Sequence, residues 1–375
     1  MSYRFAIIGA GIAGTSLGYW LSQHESVLIL EREAHPGYHT TGRSAAMFIE
    51  TYGPPLARAL TVGSRSFFES PPTGFTEHPL LTPRGILLIA TAAQRYLLDA
   101  AYGIARDLNV EIHRLSPAEA LARVPVLRVE RLVAATYEPD PTDIDVNALH
   151  QGFLNGIRHH GGTLLTAAEV TALAWRTGGW RVETTAGVFE VETVVNAAGA
   201  WCDVVAQLAG VPPIGLTPKR RSAFVFALPP GVEPVSSWPV VMGADESFYF
   251  KPEAGMLLGS PANVDPTPPH DVRPEEIDIA TGIARIEEAT TLSIRRPTRT
   301  WAGLRSFTPD GELVGGYDPA APGFFWLAGQ GGYGIQTAAA MGQTCSAILL
   351  GQPLPPPLAA LGISAERLSP LRLRG

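Results

Sequence analysis

The apolar run Phe5–Ile8 carries no polar residue on either face, as a strand buried on both sides of a parallel sheet should. Glycines follow at 9, 11 and 14, then an apolar helical stretch, then Val27–Leu30, which stops at Glu31. This order predicts strand, glycine-rich turn, helix and strand over Arg4–Glu31. Leu56, Leu60 and Phe67 recur at helical spacing. Gly85–Ala90 predicts a strand, and Ala92–Leu108 and Pro117–Arg123 predict helices. Asp145–His160 predicts a helix with Asp145 as its N-cap, ended by Gly161 and Gly162. Thr163–Leu165, Glu169–Trp175, Trp180–Thr184 and Val188–Val195 predict strands, with turns at Gly178-Gly179 and Ala186-Gly187. Arg220–Ala227 and Ser247–Lys251 predict strands joined by a Pro-rich connection, Ser260–Pro274 a loop, and Ile277–Leu292 a helix. The chain returns to α/β with a strand at Gly323–Ala328, a second glycine-rich turn at Gly329–Gly334 and an Ala-rich helix at Ile335–Leu350. The expected fold class is α/β, a Rossmann-like domain interleaved with a mostly antiparallel α+β domain.

The first unit points to an adenine dinucleotide. Gly9 allows the tight turn, Gly11 lets backbone approach a pyrophosphate, and Gly14 lets the helix pack against the strand. The helix start offers free N–H groups and its positive end to phosphates. Glu31 stands where a carboxylate can bond a ribose diol. The motif alone does not choose between NAD and FAD. Two further features favour FAD. The loop Thr40–Ala46 can cross the pyrophosphate, and the turn Gly329–Gly334 would aim the start of the last helix at the pyrimidine edge of a reduced flavin. The small residues Ala197–Ala200 end a strand where a ligand can lie on the backbone.

Composition narrows the class. With 375 residues, 46% of them hydrophobic, the chain is long enough for two domains. Its 28 basic against 35 acidic residues argue against a nucleic-acid partner. Cys202 and Cys345 form no Cys-x-x-Cys pair, so neither a metal site nor a disulfide framework is expected. The first strand begins within five residues of Met1, leaving no room for a signal peptide, and no apolar stretch is long enough for a membrane span. A cytoplasmic protein is expected. The basic runs Lys219–Arg221 and Leu371–Gly375 read as solvated faces, Arg221 excepted.

These pieces together resemble the D-amino-acid oxidase superfamily of FAD-dependent oxidoreductases, over nearly the whole chain. The resemblance rests on residues 9–14, 30–33 and 37–46, on Asn196–Asp203, Pro218–Phe224, Glu246–Tyr249, Trp301–Phe307 and Gln330–Thr337. Within the superfamily the later motifs are most similar to those of bacterial D-arginine dehydrogenases. The resemblance implies a discontinuous FAD-binding domain at 1–82, 141–216 and 301–375, and a substrate-binding domain at 83–140 and 217–300. It implies non-covalent FAD at Gly9, Gly11, Ala13, Gly14, Glu31, Arg32, Thr40, Thr41, Ser44, Ala45, Ala46, Val170, Ala198, Gly199, Trp201, Gly303, Gly329, Gly331, Gly334, Ile335, Gln336 and Thr337. It further implies that Arg221, Arg305, Tyr52 and Tyr249 hold a substrate carboxylate, that the Gly332 carbonyl receives the amine, and that Gln336 lies nearby. A guanidinium fork suits a carboxylate. Alternation around Phe248-Tyr249-Phe250 separates the tyrosine from the phenylalanines, and a core tyrosine is the other reading.

The chain departs from that subgroup at the pocket. Ile86 stands where a glutamate meets the substrate guanidinium, Met47 where the subgroup has histidine, and Ile49 where it has threonine. A cationic side chain would lose water without gaining a partner. An inward Glu50 would restore one, although an exposed glutamate is commoner. The expected substrate is therefore a small carboxylate, an apolar D-amino acid, oxidised by hydride transfer from Cα to flavin N5 and released as 2-keto acid and ammonia. The electron acceptor, quinone or oxygen, is not specified by any motif. A 2-hydroxy acid or secondary-amine oxidoreductase, a non-catalytic flavin redox sensor and an NAD dehydrogenase are the rival readings.

Overall fold

The run expected to be buried on both faces is so in the computed structural model, which describes residues 3–229, 231–232 and 236–374. Met1, Gly375 and part of the Pro-rich connection lie outside the described residues. Tyr3–Ile8 pairs in parallel with Val27–Leu30 on one side and Gly187–Asn196 on the other. Phe5 and Ile7 enter one apolar cluster, and Ala6 and Ile8 enter a second on the opposite face. Thr163–Leu165 continues the parallel sheet beyond Val27–Leu30, and Phe324–Ala328 continues it beyond Gly187–Asn196. Val314–Tyr317 adds an antiparallel edge, and the hairpin Val170–Arg176/Gly179–Thr184 pairs with the first half of Gly187–Asn196. The sheet has eight strands in all.

The first helix, Ile12–Leu21, lies against Val146–His159 and Ala338–Leu349. Asp145 caps Val146–His159: its Oδ1 accepts from the Ala148 N–H at 2.8 Å. Pro55–Glu69 buries Leu56, Leu60 and Phe68.

A second sheet of nine strands carries Ile86–Ala90, His113–Leu115, Ala134–Glu138, Thr217–Phe226, Val240–Gly243, Tyr249–Glu253, Met256–Ser260, Asp265–Pro266 and Arg299–Phe307. All its pairings are antiparallel except Val240–Gly243 with Ile86–Ala90. A small third sheet sets Met47–Phe48 and Leu81–Pro83 on either side of Thr142–Ile144.

Several boundaries differ from expectation. Arg299–Phe307 pairs with Thr217–Phe226 along its whole length, so the cut expected at 300/301 falls inside a strand of the second sheet. The cut at 82/83 falls inside Leu81–Pro83. The loop expected over Ser260–Pro274 contains the short strand Asp265–Pro266. The last long helix begins at Ala338, with Thr337 as its N-cap; Ile335, Gln336 and Thr337 lie in the turns before it. Among the described residues of the tail, the solvated face also fails. Arg374 pairs at 2.5 Å with Asp318, whose side chain is fully buried, and Arg372 bonds Asp310 and the Glu312 and Leu313 carbonyls.

Candidate active site

One cleft runs from the glycine-rich turn to the second sheet. At its first end Gly9 has φ +106°, and a Cβ there would stand 2.6 Å from the Ala197 carbonyl oxygen. A Cβ at Gly14 would overlap the Gly9 carbonyl, so Gly14 faces the strand and not the cleft. The peptide at Ala10 is gripped from both sides. Its N–H donates to Glu31 Oε2 at 2.8 Å, and its carbonyl accepts from His150 Nε2 at 2.9 Å. Burial pushes His150 below its ordinary value, which keeps the ring neutral and its single N–H on this bond. Thr41 Oγ1 accepts from the Ile12 N–H at 3.0 Å, so the crossing loop closes onto the helix start. Farther out, Arg32 stacks on Trp201 with its guanidinium carbon 4.9 Å from the ring centroid, beside Ala168, Val170, Val204 and Leu208.

The loop 37–46 is tied to the second sheet. Thr40 Oγ1 donates to the Leu304 carbonyl at 2.7 Å, and Arg43 donates to the Val272 and Ala302 carbonyls at 3.0 and 3.2 Å. Trp301 Nε1 returns a bond to the Arg43 carbonyl at 2.9 Å. The anchoring strand, Arg299–Phe307, also carries Gly303 and Arg305 into the cleft.

The substrate end is built by register. Arg221 stands directly opposite Gly303, and Arg305 is two residues along from Gly303, so both guanidiniums rise from one face with a gap between. The alternate residue Arg220 points the other way and pairs with Asp278 and Glu275. Arg305 Nη2 donates to the Tyr52 hydroxyl at 3.0 Å, and Arg221 Nε donates to the Asn263 carbonyl at 2.9 Å. Among the described residues neither arginine has a carboxylate within ion-pair distance, although other arginines do, such as Arg84 with Asp143 and Arg220 with Asp278. Burial works against both charges. Arg305 further depresses Arg221, whereas the oxygens of Tyr52, Tyr333 and Tyr249 carry Arg305 upward. A Cβ at Gly332 would overlap the Arg305 guanidinium, so any larger residue there would have to displace it.

Away from the arginines the wall turns apolar except for Glu246, an exposed carboxylate in the same lining whose charge favours the Arg221 cation. Ile86 lies opposite Val240, and Met242 lies opposite Tyr249. With Met47 and Ile49 these side chains line the cleft. Tyr249 faces the cleft while Phe248 and Phe250 enter the core, as alternation requires. Glu50 does not turn inward. It accepts from Arg65 Nε at 2.6 Å, and it is mostly buried where exposure was expected.

Of the residues expected at the site, all line this cleft except Gly14 and Thr337. Thr337 is fully buried and donates to the Tyr333 carbonyl at 2.9 Å. Gln336 lines the cleft, but its amide is occupied. Its Oε1 accepts from the Ile49 N–H at 3.2 Å, and its Nε2 donates to the Ile49 carbonyl and to Thr61 Oγ1 at 3.3 and 3.0 Å. Sequence reasoning missed Val240, Met242 and Gln330. The β-rich run Val240-Val241-Met242 before Gly243 was the available signal for the first two; Gln330 had none beyond its glycine neighbours.

The residues fit FAD. Gly9, Gly11 and Gly303 leave backbone bare along the cleft, and Gln330 Nε2 is a buried donor in the lining with no protein acceptor. Among the described residues no group of His, Cys, Asp or Glu could hold a metal, and no helix is long and apolar enough to cross a membrane.

A family model described as DAO, FAD dependent oxidoreductase, matches residues 4–348. The Bos taurus protein "FAD-dependent oxidoreductase domain-containing protein 1" is 24% identical over 405 aligned residues, covering 92% of this chain and 80% of that protein. Glycine oxidase of Geobacillus kaustophilus (strain HTA426) is 25% identical over 353 residues, 89% of each chain. The crystal structure of L-proline dehydrogenase from P. horikoshii matches with a TM-score of 0.85 at 20% identity, covering 100% of this chain and 98% of that one; it bears on the fold alone. These similarities support the family without singling out the D-arginine dehydrogenases. Matched along nearly its whole length and folded as that structure is folded, the chain belongs to the DAO family of FAD-dependent oxidoreductases.

Proposed function

We propose that the protein oxidises D-amino acids with apolar side chains to 2-keto acids and ammonia. The observation that carries this reading is the pairing of Arg221 and Arg305, two half-buried guanidiniums with no carboxylate within ion-pair distance among the described residues, with the apolar wall of Ile86, Val240 and Met242. Buried unpaired charge is expensive, so the site is built for an anion brought from outside. A carboxylate there receives the Arg221 and Arg305 forks and the Tyr249 hydroxyl, with Tyr52 steadying Arg305. The wall of Ile86, Val240 and Met242 then takes an apolar side chain.

FAD, when bound, supplies a two-electron acceptor for the hydride leaving Cα. The protein's share is positioning: two guanidiniums fix the carboxylate, which aims Cα–H along the cleft. The surplus positive charge disfavours an ammonium beside it, so the amine loses its proton to solvent before reaction. The Gly332 carbonyl, in the same wall, is assigned to the neutral amine. Water then hydrolyses the imine.

The test is anaerobic mixing of the yellow holoprotein with D- and L-amino acids, glycine, sarcosine, L-proline and 2-hydroxy acids, following the oxidised flavin band. Bleaching by D-leucine, D-methionine or D-phenylalanine, with little response to D-arginine, is expected. Bleaching by hydroxy acids alone, or by secondary amines alone, overturns the substrate class. Repeating the reaction with oxygen or a quinone as sole acceptor separates an oxidase from a dehydrogenase.

A further inference from the structure

His150 belongs to the helix Val146–His159 and is 4% exposed. Its Nε2–H donates to the Ala10 carbonyl at 2.9 Å. The ring also fills the space beside Gly37, where a Cβ would stand 2.9 Å from the ring carbon Cε1. The Gly37 carbonyl in turn accepts from the Gly42 N–H at 2.7 Å, which closes the start of the crossing loop. One imidazole thus braces the glycine-rich turn and the loop that together border the cofactor end of the cleft.

Ala10 and Gly11 share a peptide unit. In a trans peptide the carbonyl and the N–H point in opposite directions. The bond to His150 draws the Ala10 carbonyl towards the helix, and so it turns the Gly11 N–H the other way, to the cleft that Gly11 lines. The neighbouring donors are already taken, Ala10 N–H by Glu31 and Ile12 N–H by Thr41. Among the described residues the Gly11 N–H has no acceptor. It stands at the N-cap of the helix Ile12–Leu21, where the backbone carries partial positive charge.

This peptide needs an outside hold. Gly11 has φ −75°, a value any residue adopts, but a glycine is equally free to rotate to positive φ, which would swing its N–H out of the cleft. The missing side chain that lets a phosphate come close is the same feature that leaves the peptide loose. Burial keeps the His150 ring neutral, so it acts through the peptide and brings no charge of its own.

We propose that His150 is a positioning residue for the cofactor: by holding the Ala10 carbonyl it keeps the Gly11 N–H turned into the cleft and so tightens the hold on the phosphate groups of FAD. The proposal needs FAD and is independent of which substrate the arginines take.

The dissociation constant of FAD tests it, read on serial dilution of the holoprotein, since released FAD regains its fluorescence. The thermal midpoint of the same protein is measured alongside. Glutamine and methionine are alike in length and volume, and only glutamine can donate. His150→Met is expected to raise the dissociation constant at least about tenfold, and His150→Gln to stay within about threefold of the wild type. If His150→Met does not fold, His150→Asn, whose amide stops short of the carbonyl, takes its place with the same expectation. A bond that only satisfied a buried carbonyl would be lost from the free and the FAD-bound protein alike, lowering the midpoint without moving the dissociation constant. An unchanged constant in the variant without a donor in reach, or an equal rise in that variant and in His150→Gln, overturns the proposal.

Discussion

Arg305 and Tyr52 are 253 residues apart in the chain and meet at 3.0 Å, guanidinium to phenol, inside the cleft. The phenol orients the guanidinium while leaving its other edge for an anion. A hydrogen bond to a charged group is worth about 1.5–3 kcal/mol. Tyr52→Phe is therefore expected to raise KM for a carboxylate substrate at least about tenfold, with FAD content unchanged. Steady-state kinetics on protein of measured flavin content checks this.

The side-chain end of the pocket is tested at Ile86. Ile86→Glu places a carboxylate in the lining beside Val240. Cationic substrates should gain and apolar ones should lose, reversing the preference by about 2 kcal/mol or more. The ratio of kcat/KM for D-arginine and D-leucine measures it. An unchanged ratio means that Ile86 does not meet the side chain.

Gly332 tests the closeness of backbone and guanidinium. Gly332→Ala forces a methyl group into the Arg305 site and should abolish benzoate binding. The flavin, held mainly from the glycine-rich turn at Gly9, should stay bound. A colourless variant would show that the Gly329–Gly334 turn is a larger part of the cofactor site than argued above.

Stability should also follow pH through Glu138. Its acid stands at about 7 against an ordinary 4.5, chiefly because it is buried. For a raised acid the contribution is complete below the ordinary value and is lost as pH climbs through the raised one, here between 4.5 and 7. The loss is at most about 3 kcal/mol. Thermal midpoints of the wild type should fall from pH 5 to pH 8, and those of Glu138→Gln should fall less.

The sequence made the first βαβ unit readable because its evidence is local: apolar strands, three glycines and an acid within 31 residues. Tyr249 was assigned from the resemblance, and alternation separated it from Phe248 and Phe250 but left a core tyrosine as the other reading. The strand Arg299–Phe307 was not, because its cleft-facing positions are polar or glycine and its partner lies about eighty residues back. The start of the last helix was set too early, since the turns at Ile335–Thr337 carry helix-like composition before the helix itself begins. Gln336 was placed near the substrate and cofactor by the resemblance and does line the cleft, but its amide is bonded to Ile49 and Thr61, 287 and 275 residues away, which no local pattern reveals. Glu138 escaped notice because only strand pairing across about fifty residues of sequence brings it beside Ile86.

The strand Arg299–Phe307 receives the cofactor-crossing loop through Thr40, Arg43 and Trp301 and presents Arg305 to the substrate. Occupancy of the two sites is then thermodynamically linked: whatever dinucleotide binding gains by settling that loop, it contributes to ordering the anion site. Linkage is reciprocal. A bound carboxylate must tighten the binding of the dinucleotide by the same coupling free energy by which the dinucleotide sharpens affinity for the carboxylate.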